Sequence, residues 1–430
     1  MSKPEKISLF HAVFLNINIM IGTGLFINTV EVAKRMGPFG FVSYGIVALL
    51  MLPLVLAMSR LLKRIPEGNF FTFGRQGLSS FWGFFNTWNY FFAKLGSATL
   101  GIHIFVSIIQ QLFPLLQAFN VYLLDCFILI FFLLLNLFHA KIASFLQKYL
   151  VISKLVPIVA VIFLGLLANR TFAGFFHSAV EVDLFSTIPI VLFSFLGFEA
   201  ICALSNRIEN AERNSSYAVL FSYGIVALMY MTYQFLFYHL VGERFFQMND
   251  FKQALPALFF SSFSVDVASF LGACLCICIG FSALSSAYGI LSANQWNLFT
   301  AAEHKAVWGH RFIVTLNSAR VPVVCLLIEV LICALYLYVS HGKQFILQQL
   351  AALGSTVTYA ICALSLFHSS PHLFDRILGV AALVSCTVLS AACVNGFLKN
   401  GTAVLYLYCS ILCIGCLFFF IEKLQQKNEA

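Results

Sequence analysis

Apolar runs of about twenty residues recur along the whole chain, and they leave few folds open. Lipid offers no partner to an unpaired backbone N–H or C=O, so a run of that length spans the hydrocarbon only as a helix. About twelve spans can be placed. The first six are Leu9 to Glu31, Phe39 to Leu62, Trp82 to Phe113, Asn120 to Phe138, Ala143 to Ala168 and Leu184 to Asn206. The second six are Ser215 to Val241, Val267 to Ser292, Pro322 to Ser340, Phe345 to Phe367, Asp375 to Val394 and Thr402 to Ile421. With 61% of residues hydrophobic and 10% charged, the expectation is an all-α polytopic membrane protein. No connecting segment is long enough for a soluble domain, so residues 1–430 read as a single membrane domain.

Lys3 and Lys6 precede the first run, but no small-residue cleavage site follows, so it reads as an uncleaved first helix. With the amino terminus inside, the cytoplasmic loops collect Lys63, Arg64, Arg75, Lys141, Lys148, Arg207, Arg213, Lys305, Arg311, Arg320 and Arg376. The positive-inside rule then places both termini in the cytoplasm of a multi-pass cell (inner or plasma) membrane protein. That bias accounts for the net charge of +8, so no nucleic acid partner is implied. Thirteen cysteines suggest chemistry until they are placed. Cys274, Cys276 and Cys278 share one helix, whose turn of about 100° per residue cannot point all three one way, and zinc-site spacing is absent. They read as small packing residues, and no cofactor or metal is expected.

Gly22-Thr23-Gly24 stands thirteen residues into the first span, where a loosened helix survives only if buried in protein or lining a cavity. The sixth span reads Val191-Leu192-Phe193-Ser194-Phe195-Leu196-Gly197-Phe198-Glu199, and its glycine is also thirteen residues in. Glycine serves close helix packing as well, but Gly22 and Gly24 are two apart and not four. Each interrupted span opens a set of five, the pattern of an inverted-repeat transporter with its site at the breaks. Residues 9–168 would form the first repeat and 184–367 the second, with two additional helices over 375–421.

These residues resemble the amino acid-polyamine-organocation permeases. Ile21-Gly22-Thr23-Gly24-Leu25-Phe26 is similar to the family's first-helix motif. Pro66-Glu67-Gly68-Asn69-Phe70-Phe71, Gly77 and Phe81-Trp82-Gly83-Phe84 are similar to its loop into the third helix. Phe193 to Glu199, running into Glu209-Asn210-Ala211-Glu212-Arg213, is the third match. Two departures stand out: Asn214-Ser215-Ser216 replaces prolines common after the sixth helix, and Asn294-Gln295-Trp296-Asn297 stands where an Arg is common. The resemblance implies a five-plus-five inverted repeat of the leucine-transporter type, with broken helices one and six and alternating access. The implied function is secondary active transport of an amino acid or related amine, by proton-coupled symport or exchange.

An amino acid brings a carboxylate and an ammonium group. The unwound Ile21, Gly22, Thr23 and Gly24 backbone, beside a half-helix amino terminus, suits the carboxylate. Carbonyls freed around Phe193, Ser194, Leu196 and Gly197 suit the ammonium. The resemblance implies the same division, with Thr23 adding a hydroxyl and Phe193 covering the substrate side chain. Ser285, Ser286, Ser355 and Thr356 are further contributors to a pocket of this kind.

Glu199 lies at membrane depth, where an ionisable group costs about 2.5 kcal/mol or more unless paired, hydrated or protonated. The resemblance implies gating and proton sensing; the structural alternative is a brace on the first helix's loosened backbone. Lys154, in Ile152-Ser153-Lys154-Leu155-Val156-Pro157, matches a fifth-helix lysine whose ammonium replaces a sodium ion in proton-coupled relatives. Lys94 is either a pocket cation, favouring an acidic or polar substrate, or an internal salt-bridge partner of Glu199 or Glu329. Asp125 reads as interfacial. The rival readings are a membrane-embedded enzyme, with Asn136 and His139 as an acyltransferase pair, and a sensor that binds without moving substrate. No Gly-x-Ser-x-Gly or His-Glu-x-x-His stands inside a span and no Walker-type loop occurs, so neither an enzyme nor an ATP-driven pump is expected.

Overall fold

The computed structural model describes residues 6–66, 68–138, 140–167, 182–205, 208–260 and 262–429. Lys3, Glu67, His139, Ala168, Asn206 and Arg207 lie outside the described residues, as do the side chains of Lys141, Lys148 and Ile152. Helices carry the chain: α1 (Leu9–Met20), α2 (Gly24–Met36), α3 (Gly40–Arg64), α4 (Phe70–Gly77), α5 (Ser80–Leu112), α6 (Val121–Phe138), α7 (Ala140–Leu167), α8 (Leu184–Phe195) and α9 (Ile201–Leu204). They continue as α10 (Ala211–Val241), α11 (Phe251–Ala257), α12 (Val265–Glu303), α13 (His310–Ile313), α14 (Val323–Ser340), α15 (Gln344–Ser369), α16 (Leu373–Asn400) and α17 (Ala403–Glu429).

Among the described residues, 8 helical stretches are long and apolar enough to cross a membrane. Four shorter apolar stretches join them: Leu9–Met20, Val121–Leu137, Ser153–Leu167 and Leu184–Ala200. Two of the four are halves of interrupted helices, which is why length alone does not count them. Outward-facing Val159, Leu166, Leu331, Val384 and Leu417 are exposed, a surface suited to lipid and not to water. Several helices outrun the apolar runs that mark them. α12 continues past Ser292 to Glu303 and α17 past Ile421 to Glu429, because an established helix extends one hydrogen bond at a time into polar sequence.

A chain of contacts gathers one set of helix ends on a single face. Ile7 pairs with Ile208, and the Ser59 and Ser216 hydroxyls meet at 2.5 Å. The Ser365 hydroxyl donates to Phe73 O (2.6 Å), the Phe71 ring meets His304 (4.3 Å), and Gln426 donates to Lys305 O (2.9 Å). The start of α1 and the end of α17 therefore share a face with Lys63, Arg64, Arg75, Arg213 and Lys305. On that face, burial and the neighbouring Arg75 hold the His304 imidazole below its usual range. At the other end, Asp183 N–H donates to Arg35 O (3.0 Å), so α8 begins where α2 finishes.

Asp125, near the start of α6, is fully buried, its Oδ2 sharing a 2.8 Å hydrogen bond with His103 Nδ1 between α6 and α5. Asn136 donates to Phe132 O and accepts from the Ser292 hydroxyl (2.8 Å), which ties α6 to α12. Cys274 is exposed, Cys276 buried and Cys278 between them, the divergence that helical rotation predicts.

Candidate functional site

The first interruption is short and well defined. Ile21 N–H closes the α1 ladder on Ile17 O (2.9 Å), Gly22 N–H turns back to Met20 O (2.8 Å), and Ile27 N–H on Thr23 O (3.1 Å) opens α2. The first amides of α2 have no carbonyl four residues behind them, so free donors begin at Thr23 and Gly24. The second interruption closes α8 with Leu196 N–H on Phe193 O (3.3 Å), places Gly197 at φ +116, and resumes with Ala200 N–H on Gly197 O (3.0 Å). Tyr230 donates to Met20 O (2.9 Å) and Asn16 to Phe198 O (3.2 Å), so one side chain braces each loosened end.

The two interruptions press against each other. A Cβ on Gly24 would stand 2.8 Å from Ser194 Cα and 3.0 Å from Phe193 Cδ1, whereas one on Gly22 would meet nothing closer than 3.9 Å. Gly24 is therefore a contact glycine and Gly22 faces space. A Cβ on Gly197 would lie 3.3 Å from Ile19 O and Met20 Cα, and φ +116 is strained for any L side chain. Gly197→Ala is expected to cost at least about 1–2 kcal/mol, read as a lower unfolding temperature of the purified protein. An unchanged transition would show that the break relaxes freely.

Between the breaks lies a cavity of about 530 Å³. Gly22, Thr23, Gly24, Phe193, Ser194, Leu196, Gly197, Glu199, Lys154 and Lys94 all line it. Ile21 does not: its side chain is buried elsewhere and its amide is used within α1. Asn69 and Phe70 from α4, and Asn294 and Asn297 from α12, extend the lining toward the face that holds the termini. Asn69 starts α4 through a reciprocal cap, its Oδ1 accepting from Thr72 N–H while its own N–H donates to Thr72 Oγ1. Toward the opposite face the helices are stitched shut. Asn28 donates to Ile190 O (2.9 Å), and Gln348 donates to Asn28 Oδ1 (2.8 Å).

Glu199 gathers four donors. Oε1 accepts from Tyr90 OH (2.9 Å) and Lys94 Nζ (3.0 Å), and Oε2 from Tyr359 OH (2.8 Å) and the Gly197 amide (2.8 Å). The carboxylate therefore braces its own break and not the first helix. It also neutralises Lys94, whose side chain is 11% exposed, so the internal salt bridge is the arrangement found. Lys154 sits apart from that pair, donating to Asn18 O (3.3 Å) two residues before the end of α1 and to Ser286 Oγ (3.2 Å) on α12.

A family model described as "Amino acid permease" matches residues 7–428. The chain belongs to the amino acid permease family. It is 22% identical over 254 residues to the branched-chain amino acid permease BcaP of Bacillus subtilis, covering 54% of each chain. To the D-serine/D-alanine/glycine transporter of Escherichia coli (strain K12) it is 23% identical over 227 residues, 49% of this chain and 47% of the relative. To an uncharacterized protein of Methanocaldococcus jannaschii it is 27% identical over 245 residues, 53% and 54% respectively. The chain spans about half the length of the curated relatives it matches. The family is one of multi-pass membrane permeases, so the membrane-enzyme reading is set aside.

Of the break residues and charges expected at the site from the sequence of this permease, all but Ile21 line the cavity, and much of the remaining lining was not expected. Ser285 and Ser286 line the cavity, but Ser355 and Thr356 do not, and Thr356 instead bonds Leu353 O and Ser390. Sequence reasoning missed Tyr90, Tyr359, Tyr230 and Asn16. The chain holds 15 tyrosines, and nothing in their one-dimensional spacing separates the few that brace the breaks from the rest.

Proposed function

We propose that this permease is a secondary transporter that moves an amino acid with an uncharged side chain by alternating access. The observation that carries the reading is the pair of facing helix breaks whose ends line one cavity. Thr23 and Gly24 amides, at a half-helix amino terminus, meet a substrate carboxylate. Carbonyls at the end of α8, from Ser194 to Leu196, lie beyond the helical ladder and meet the ammonium. Phe193 lines the space left for the side chain. Lys94 is spent on Glu199, so it is not a free cation for a substrate side chain. The printed substrates of the two named relatives, branched-chain amino acids in one and D-serine, D-alanine and glycine in the other, have side chains that are uncharged in the same way.

The architecture in this reading has about twelve spans. The repeats are 9–168 and 184–367, and residues 375–421 stand outside them. Support for the inversion comes from α8 starting at the face where α2 ends, while α1 starts at the other. The face with both termini and the basic loop residues is cytoplasmic, by the positive-inside rule, in a cell (inner or plasma) membrane. The cavity's reach toward that face, against the Asn28–Ile190 closure on the other, then corresponds to an inward-facing state.

Lys154 bridges α1 and α12 with its ammonium, and a second cation there would meet unscreened repulsion in a low dielectric. Coupling is therefore to protons or to a counter-substrate, and not to sodium. Purified protein in liposomes is expected to show counterflow of a labelled neutral amino acid at the same rate in sodium and in choline. A sodium requirement would overturn the coupling assignment. Substrate binding without counterflow would overturn transport itself and favour a sensor.

A further inference from the structure

Glu329, on α14, is a second membrane-depth carboxyl group that the transport reading leaves unused. It is fully buried, and neither carboxyl oxygen has a hydrogen-bond partner within 3.5 Å among the described residues, the Asn294 side chain being the polar group that acts on it from just beyond that distance. Three pairs occupy charged groups of the surrounding helices. Lys94 of α5 pairs with Glu199, His103 of α5 with Asp125 of α6, and Glu422 of α17 with His310 of α13. On its own helix the titratable neighbours are Cys325 and Cys333, which carry no positive charge. α12 presents the uncharged Asn294, and α5 presents Thr99 and Leu95 O one turn further along, at Cys333.

An ionised carboxylate in such a place costs several kcal/mol, and a protein avoids that cost by pairing the charge or by keeping the proton. Among the described residues Glu329 forms no salt bridge. Asn294, the polar side chain beside Glu329, turns its amide to Phe91 O (2.9 Å) and accepts from Asn297 Nδ2 (3.0 Å). Both asparagines line the cavity toward the termini-bearing face.

We propose that Glu329 is a proton-binding site behind the cavity wall, and that its charge state sets the position of the Asn294–Asn297 pair. The inference rests on the transport reading only for its consequence, not for the binding of the proton. With the proton held, Asn294 stays on the Phe91 carbonyl. Loss of the proton to solvent in the cavity leaves a carboxylate, which competes with that carbonyl for the Asn294 amide. Turning the amide breaks the bond to Asn297 and loosens the wall. Return of one proton to the same carboxyl reverses the change, so one proton is bound and released per cycle of the wall.

Two measurements test this separately. In the infrared spectrum of the purified protein, a buried carboxylic acid C=O band is expected at neutral pH and is expected to vanish in Glu329→Gln. In liposomes, an inward proton gradient is expected to stimulate uptake by the wild type, with that stimulation lost in Glu329→Gln while counterflow persists. A wild-type spectrum with no such band, or a band unchanged by the substitution, overturns the proton site. A band that behaves as expected, with proton stimulation intact in Glu329→Gln, overturns the link to the wall. Failure of the wild type to catalyse counterflow defeats the transport reading, and the spectrum still decides whether Glu329 holds a proton. Should Glu329→Gln not fold, ¹³C-glutamate labelling of the wild type replaces it, and absence of an isotope-shifted acid band counts against the site.

Discussion

Glu199→Gln is expected to abolish counterflow and to lower the unfolding temperature sharply, and adding Lys94→Met is expected to restore most of the stability without the transport. The carboxylate is the meeting point of Tyr90, Tyr359, Lys94 and the Gly197 amide. A glutamine offers one acceptor oxygen and turns an NH₂ toward groups that are themselves donors. Lys94 then remains as a buried cation without its counterion, a situation worth about 3–5 kcal/mol of destabilisation when one partner of a buried pair is removed. Deleting both charges removes that penalty, because replacing a whole buried ion pair by apolar groups is often neutral. Transport does not return, since the Gly197 amide still lacks its carboxylate brace. The cycle of two single variants and the double, followed by thermal unfolding and counterflow, isolates the pair. A Glu199→Gln protein as stable as the wild type would show that the ion pair does not hold the second break in place.

Gly24→Ala is expected to impair the permease far more than Gly22→Ala, although the two glycines are chemically equivalent in sequence. At Gly24 the new methyl would sit 2.8 Å from Ser194 Cα, so backbone and not a mobile side-chain tip has to move. Overpacking of that kind costs about 1–3 kcal/mol. The displacement also pushes α2 from α8, one turn below the Asn28–Ile190 bond that closes the opposite face. Loss of counterflow by more than about tenfold corresponds to about 1.4 kcal/mol of that strain reaching the working cycle. At Gly22 the nearest atom is 3.9 Å away, so stability is expected to hold while the methyl occupies cavity volume and raises KM. Equal effects at the two positions, by unfolding temperature and by KM, would contradict the assignment of one glycine to contact and the other to space.

Much of the site was legible because its causes are local. Gly22-Thr23-Gly24 and Gly197 weaken a helix wherever they stand, and a charge such as Glu199 or Lys154 is costly at membrane depth whatever surrounds it. Ile21 was overassigned for an equally local reason: a motif marks where a ladder fails, not which amide is the last one still bonded. Asp125 stands near a span end, and only the packing of α6 on α5 brought His103 to it. Lys94 had two readings that no spacing rule separates. Its partner lies 105 positions away on another helix, and the choice is made by which faces of α5 and the second break meet.

By itself the sequence determined that the chain is a bundle of membrane helices, that two of them are interrupted, and that rare charges lie inside. These follow from the length of apolar runs, from backbone freedom at glycine and from the cost of ions in lipid, all properties of single segments. Tertiary structure decided what the interruptions do. It set Gly24 against Ser194 and left Gly22 open, and it joined Glu199 to Lys94. It placed the Lys154 ammonium between Asn18 O and Ser286 Oγ, and among the described residues it left the Glu329 carboxyl buried without a salt bridge. Those outcomes depend on which side chains from distant segments share a few ångströms of low-dielectric space, and only the packed bundle specifies that.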